Sequence, residues 1–172
     1  MRRTLDTMYR ISGFLSAISM VAICAVVCIQ VGFNIINAFS LRIFNANPGL
    51  LLPSYTEFAG FFLVGTSFLG LAYALKADEH IRIVLVVQRL SPRHRAFAEV
   101  FSCLIALLLC TFLGYNCTLL LFESWEYNDL SIGMIPVPLW IPQAFMVLGL
   151  YFLTIAFADR LYCTIATLGE QK

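Results

Sequence analysis

The sequence predicts an all-α integral membrane protein: four transmembrane helices, a short amphipathic helix lying on the cytoplasmic face, and both termini in the cytoplasm. Three observations carry that reading. Residues 11–41, 58–75, 100–122 and 130–158 contain no Asp, Glu, Lys or Arg, in a chain that is 60% hydrophobic. A hydrocarbon core about 30 Å thick is crossed by roughly 20 apolar helical residues, with ~17 as a lower limit. Each stretch is therefore long enough, and together they use most of the chain. Next, "FFLVGTSFLGLAYAL" (Phe61–Leu75) has no charged face with which a helix of a soluble bundle would meet water. Finally, of the 11 Lys and Arg residues, all except Arg42 fall in segments 1–10, 76–99 and 159–172. Only Arg42 falls in segments 37–57 and 123–139. Positive residues flanking spans stay on the cytoplasmic side, which sets the orientation. The chain is read as a single membrane domain, 1–172, with spans near 11–36, 57–75, 97–122 and 138–160 and the interfacial helix near 78–90.

The first span follows "MRRTLD", which has the flavour of a secretory signal. Its apolar run is far longer than the roughly 7–15 residues of a signal core, and no small-x-small cleavage site follows. It is expected to stay as a signal-anchor. Gln30, Asn34 and Asn37, at spacing i, i+4, i+7, form a polar stripe in its outer half. Ala17, Cys24, Cys28 and Gly32 give a stripe of small residues, which lets helices approach closely in lipid.

The connection "NANPGLLLPSYTE" delivers Glu57 to the outer mouth of span two. An ionisable group at a span marks a functional site by default. Three roles are open: a proton carrier, an interfacial carboxylate in contact with water, or a structural pair with Arg42. Thr66, Gly70 and Ala74 form the small-residue seam of this span.

After Lys76 comes "DEHIRIVLVVQRL". Asp78, Arg82, Arg89 and Arg93 fall near one helical face, while Ile81, Val84, Leu85 and Val87 spread over the other. Such a helix lies in the headgroup plane with its arginines toward anionic lipid. Ser91-Pro92 then supplies an N-cap and a proline at the first helical position. His80 could ligate haem or a metal, yet its only companion is His94, also in this connection, whereas a helical haem protein places its ligands inside the bundle.

On span three Cys103, Cys110 and Cys117 recur every seven residues, and Ala106 and Gly114 share their face. This reads as a packing seam, because buried thiols without a nearby cation are inert. No cysteine pair faces an oxidising compartment, so no structural disulfide is expected. Between spans three and four, Glu123, Glu126 and Asp129 surround Trp125 and Tyr127. Trp and Tyr are interface anchors at this level, and the acids form either a solvated loop or a docking surface for a soluble partner. The near-balance of charge, +1 overall, excludes nucleic acid as a partner. No catalytic set, phosphate loop or zinc spacing is visible, so no cofactor, metal or enzymatic activity is expected.

Two longer patterns are more specific. "EFAGFFLVGTSFLGLAYALKADEHIRI" (Glu57–Ile83) opens on Glu, carries Phe-Leu-Gly in its middle and ends on His-Ile-Arg. "SIGMIPVPLWIPQAFMVLGLYFL" (Ser131–Leu153) places Ile-Pro before Trp and again just after it. In order and spacing these resemble the small, four-helix, Q-type membrane subunit of tripartite ATP-independent periplasmic (TRAP) transporters. One departure is Val84, where family members often carry an acid.

The resemblance implies a bacterial inner-membrane subunit of a binding-protein-dependent transporter for organic acids. It implies as partners a large multi-span, elevator-type subunit, which would bind substrate and sodium, and a periplasmic binding protein. This chain would be a static scaffold that helps to dock the binding protein, and Glu57, His80 and Arg82 would be structural or intersubunit contacts. Three rivals remain. A quinone-linked thiol oxidoreductase lacks the outer cysteine pairs that it needs. A small self-assembling transporter would use Glu57 to carry protons. A structural accessory of an unrelated membrane complex needs only the helices.

Overall fold

A chain this rich in Leu, Ile, Val and Phe, with few breakers, propagates helix until proline, glycine or a left-handed residue stops it. In the computed structural model, which describes residues 2–44, 49–77 and 92–170, this yields four helices. They are α1 (Arg2–Phe44), α2 (Tyr55–Ala77), α3 (Pro92–Glu126) and α4 (Trp140–Glu170). All four are long and apolar enough to cross a membrane, as the sequence predicts. Among the described residues there is no strand, only an isolated antiparallel bridge between Leu130 and Pro138.

The stops are local. In the first connection, Gly49 takes the left-handed conformation, with φ 63°, where a side chain would be strained. Pro92 opens α3, where its missing N–H costs nothing. Asn128, with φ 49°, ends α3. Asn tolerates this conformation better than most residues, and Asp129 N–H closes back on Ser124 O at 3.1 Å, the long bond of a Schellman cap.

The helices do not close into a ring. α1 packs along α2, α2 along α4, and α4 along α3, while α1 meets α4 only slightly. The spatial order is α1, α2, α4, α3: an open layer whose edges are α1 and α3. A third of the apolar window of α4 is buried, 17% of those of α2 and α3, and 6% of that of α1. The neighbours α2 and α4 run parallel, whereas α1/α2 and α3/α4 are antiparallel hairpins.

Three different seams hold the layer. Between α1 and α2 the seam is polar and small. Ser12 Oγ donates to Leu69 O, and Ser16 Oγ donates to Thr66 O at 2.8 Å. Gly65 and Gly70 admit Ser19 and Ser16, and Gly13 lies under the Tyr73 ring. Thus Thr66 and Gly70 face α1, while Ala74 is exposed. The α1 side of this seam is made by Ser12, Ser16 and Ser19. Ala17, Cys24 and Cys28 are exposed, and Gly32 has open space beside it. Size alone does not choose between two small-residue stripes. A serine also supplies a donor for carbonyls on the facing helix.

Between α2 and α4 the approach is closest at Gly149, where a Cβ would come within 2.5 Å of the Phe68 backbone. Between α3 and α4, Cys103 and Cys110 are buried, Ala106 and Cys117 partly so, and Gly114 lies over Leu150 and Tyr151. At the end of the layer that carries Lys76, Tyr9, Ala72 and Ala156 form a small core flanked by Leu5, Leu75 and Phe152.

Candidate functional site

A second group of polar side chains lies at the opposite end, the one that carries Glu57. Here two connections must cross between helices, and their backbone N–H and C=O groups need partners wherever water is scarce. The stripe on α1 supplies them for the first. Asn37 Nδ2 donates to Leu50 O at 2.7 Å, and Asn37 Oδ1 accepts from Leu50 N–H at 3.1 Å. One carboxamide therefore does what a neighbouring peptide would do in a strand pair. Gln30, only 4% exposed, accepts from Leu52 N–H at 3.0 Å and donates to Asn34 Oδ1 at 3.3 Å.

The second connection folds on itself before it meets α2. Ser131 N–H donates to Val137 O and Leu139 N–H to Asp129 O, both at 2.9 Å. Two polar residues of the α2 entrance then hold it. Ser54 Oγ accepts from Ile135 N–H at 2.9 Å, so this serine, at φ 56°, uses its hydroxyl on the loop. Its carbonyl meanwhile takes the N–H groups of Glu57 and Phe58.

Glu57, half-buried in the first turn of α2, receives the Ser131 hydroxyl on Oε2 at 2.9 Å. The same Ser131 oxygen accepts from Val137 N–H at 3.1 Å. Gly133 lies so close that any Cβ there would overlap the carboxylate. Among the described residues its hydrogen-bond partner is Ser131 rather than Arg42. Ser54 and Ser131 carry no signal in the sequence, because one meets a loop N–H and the other the Glu57 carboxylate, across a loop whose path is set only in three dimensions.

Beyond this clasp, Gln143 Nε2 donates to Ser124 Oγ at 2.9 Å, and Trp125 meets Trp140 edge-on with centroids 4.8 Å apart. Glu123, Glu126 and Asp129 are all exposed, as are Trp125, Tyr127, Ile132 and Met134. The Glu57 end thus exposes both acids and apolar side chains, on the last turn of α3 and on the second connection.

At the other end Asp6 pairs with Lys76, whose ammonium sits 5.2 Å from the centre of the Tyr9 ring. His80, Arg82 and Arg89 lie outside the described residues, as does the expected interfacial helix near 78–90. Arg93 lies in the first turn of α3.

Among the described residues, Asp159 and Arg160 are the charged side chains set furthest from a helix end, and residues 11–41, 58–75, 100–122 and 140–158 carry no Asp, Glu, Lys or Arg.

Among known families, the one described as "Tripartite ATP-independent periplasmic transporters, DctQ component" matches residues 43–167. No curated protein matches the chain.

Proposed function

Because this chain belongs to the DctQ family, and so is the small membrane subunit of a TRAP transporter in the inner membrane, we propose that it is the static scaffold of that transporter. In this reading the large subunit moves substrate by an elevator motion, binds the coupling sodium, and takes up organic acids handed over by the periplasmic binding protein. The present chain conducts nothing and catalyses nothing. Its termini are cytoplasmic and the Glu57 end is periplasmic, so that Glu123, Glu126 and Asp129 face the binding protein, while Arg82, Arg89 and Arg93 meet lipid headgroups.

The observation that supports this most is the use made of Glu57. It is the carboxylate that a small proton-coupled carrier would need, yet it lies in the first turn of α2, held by Ser131 and closed in by Gly133. An open layer with uncharged span centres also fits a wall better than a conduit.

The test is purification of the tagged chain from its native membranes in mild detergent, followed by mass spectrometry and by uptake assays in liposomes. We expect a stoichiometric multi-span partner, sodium-dependent organic acid uptake only when that partner and the binding protein are both present, and none by this chain alone. Recovery as a lone homo-oligomer that carries out uptake by itself would overturn the reading and return Glu57 to the role of proton carrier.

A further inference from the structure

Resting on that reading, in which a large membrane subunit is the partner, we infer that this subunit seats on the outer edge of α3, the side turned away from α4. The free edge of α1 is left to lipid. An open layer has two edges, and they differ in what they expose. On α3, Asn116 projects opposite the Cys103–Cys110–Gly114 seam and is exposed. Its Nδ2 donates to Phe112 O at 2.8 Å, and among the described residues its Oδ1 has no donor. Asn116 lies seven residues before Glu123, roughly 10 Å of helix, which places it well inside the hydrocarbon.

Hydroxyls solve this problem on their own helix. Ser19 and Thr111 turn back to the carbonyls of Leu15 and Leu107, and Ser67 has the same option. A carboxamide oxygen has no such escape, because the middle of an α-helix offers carbonyls with a spare lone pair but no spare N–H. An unmet acceptor in lipid is costly, so Asn116 calls for a donor from outside the chain.

Beside it stands Tyr115, 62% exposed, whose hydroxyl also lacks a partner among the described residues. Around both are Ile105, Phe112 and Leu119, a surface that suits a transmembrane helix bearing one N–H or O–H donor among apolar neighbours. The α1 edge makes no such demand. Phe14, Val21 and Ile35 are exposed there, and the oxygen of Asn34 is already supplied by Gln30.

The test places the photo-crosslinker p-benzoylphenylalanine at Phe112 or Leu119 on the α3 edge and at Phe14 or Val21 on the α1 edge, in the full chain in native membranes. Adducts with the large subunit are expected from Phe112 and Leu119 and not from Phe14 or Val21. Asn116→Leu should lower the co-purified large subunit by roughly threefold, and Asn116→Gln should restore part of it.

Large-subunit adducts from α1 alone, or adducts between two copies of this chain at Phe112, overturn the edge assignment, as does a co-purifying large subunit with no α3 adduct. If no large subunit accompanies the unmodified chain, the scaffold reading itself fails, and this inference with it.

Discussion

At the scale of single residues, the contact between Glu57 and Gly133 makes the sharpest demand. Gly133→Ala forces a methyl group onto the carboxylate, and overpacking of this kind costs about 1–3 kcal/mol. Thermal unfolding in detergent should shift down by several degrees, and the shift should shrink in a Glu57→Ala background. Equal losses in both backgrounds would place the strain elsewhere. Glu57→Gln keeps an oxygen for Ser131, so the chain's own stability should hardly change, while co-purification of the large subunit or transport falls modestly. Full activity with normal assembly would leave Glu57 as a loop clasp only. Asn37→Ala removes two bonds to Leu50, each worth about 1 kcal/mol, and should raise proteolysis in the first connection. The presence of the Gln30, Asn34 and Asn37 stripe is legible in the sequence because polar residues stand out in an apolar run. Its purpose is not, because the partners are backbone groups of a loop, which sequence spacing does not locate.

At the scale of helices, length and contact separate. Charge-free runs mark where a helix can lie in lipid, and all four are visible in the sequence. Hydrogen bonding carries on past them, so α1 reaches 43 residues, about 64 Å at 1.5 Å per residue. The seam on α3 follows from its heptad of cysteines, because bulky residues fill the rest of that helix. On α1 the serines at 12, 16 and 19 were equally regular in the sequence, but only the facing carbonyls of α2 show why they, and not the cysteines, meet a neighbour. The α2/α4 crossing at Gly149 has no reserve of space. Gly149→Leu should push α2 and α4 apart and abolish a monodisperse fold, measurable as loss of the size-exclusion peak. Ser12→Ala, which removes one interhelical bond worth about 0.6–2 kcal/mol in lipid, should leave that peak in place.

At the scale of the whole molecule, the open order α1, α2, α4, α3 is the feature that sequence reasoning leaves undetermined. Four apolar helices with short connections suit a closed ring equally well, and the choice lies in which glycine meets which backbone. The open order also governs how the protein is made. The α1/α2 hairpin holds its serine seam and the Asn37 clasp entirely within the first 77 residues, so it is a finished unit before any of α4 has been translated. The second hairpin carries its own cysteine seam and meets the first through Phe68 and Gly149 and through the loop at 131–137 on Ser54 and Glu57. Co-expression of residues 1–84 and 85–172 as separate polypeptides should therefore yield a paired complex in the membrane, whereas a cut within the α1/α2 connection should not. A paired complex would make biogenesis a matter of two insertions, with the parallel α2/α4 contact as the joint between them.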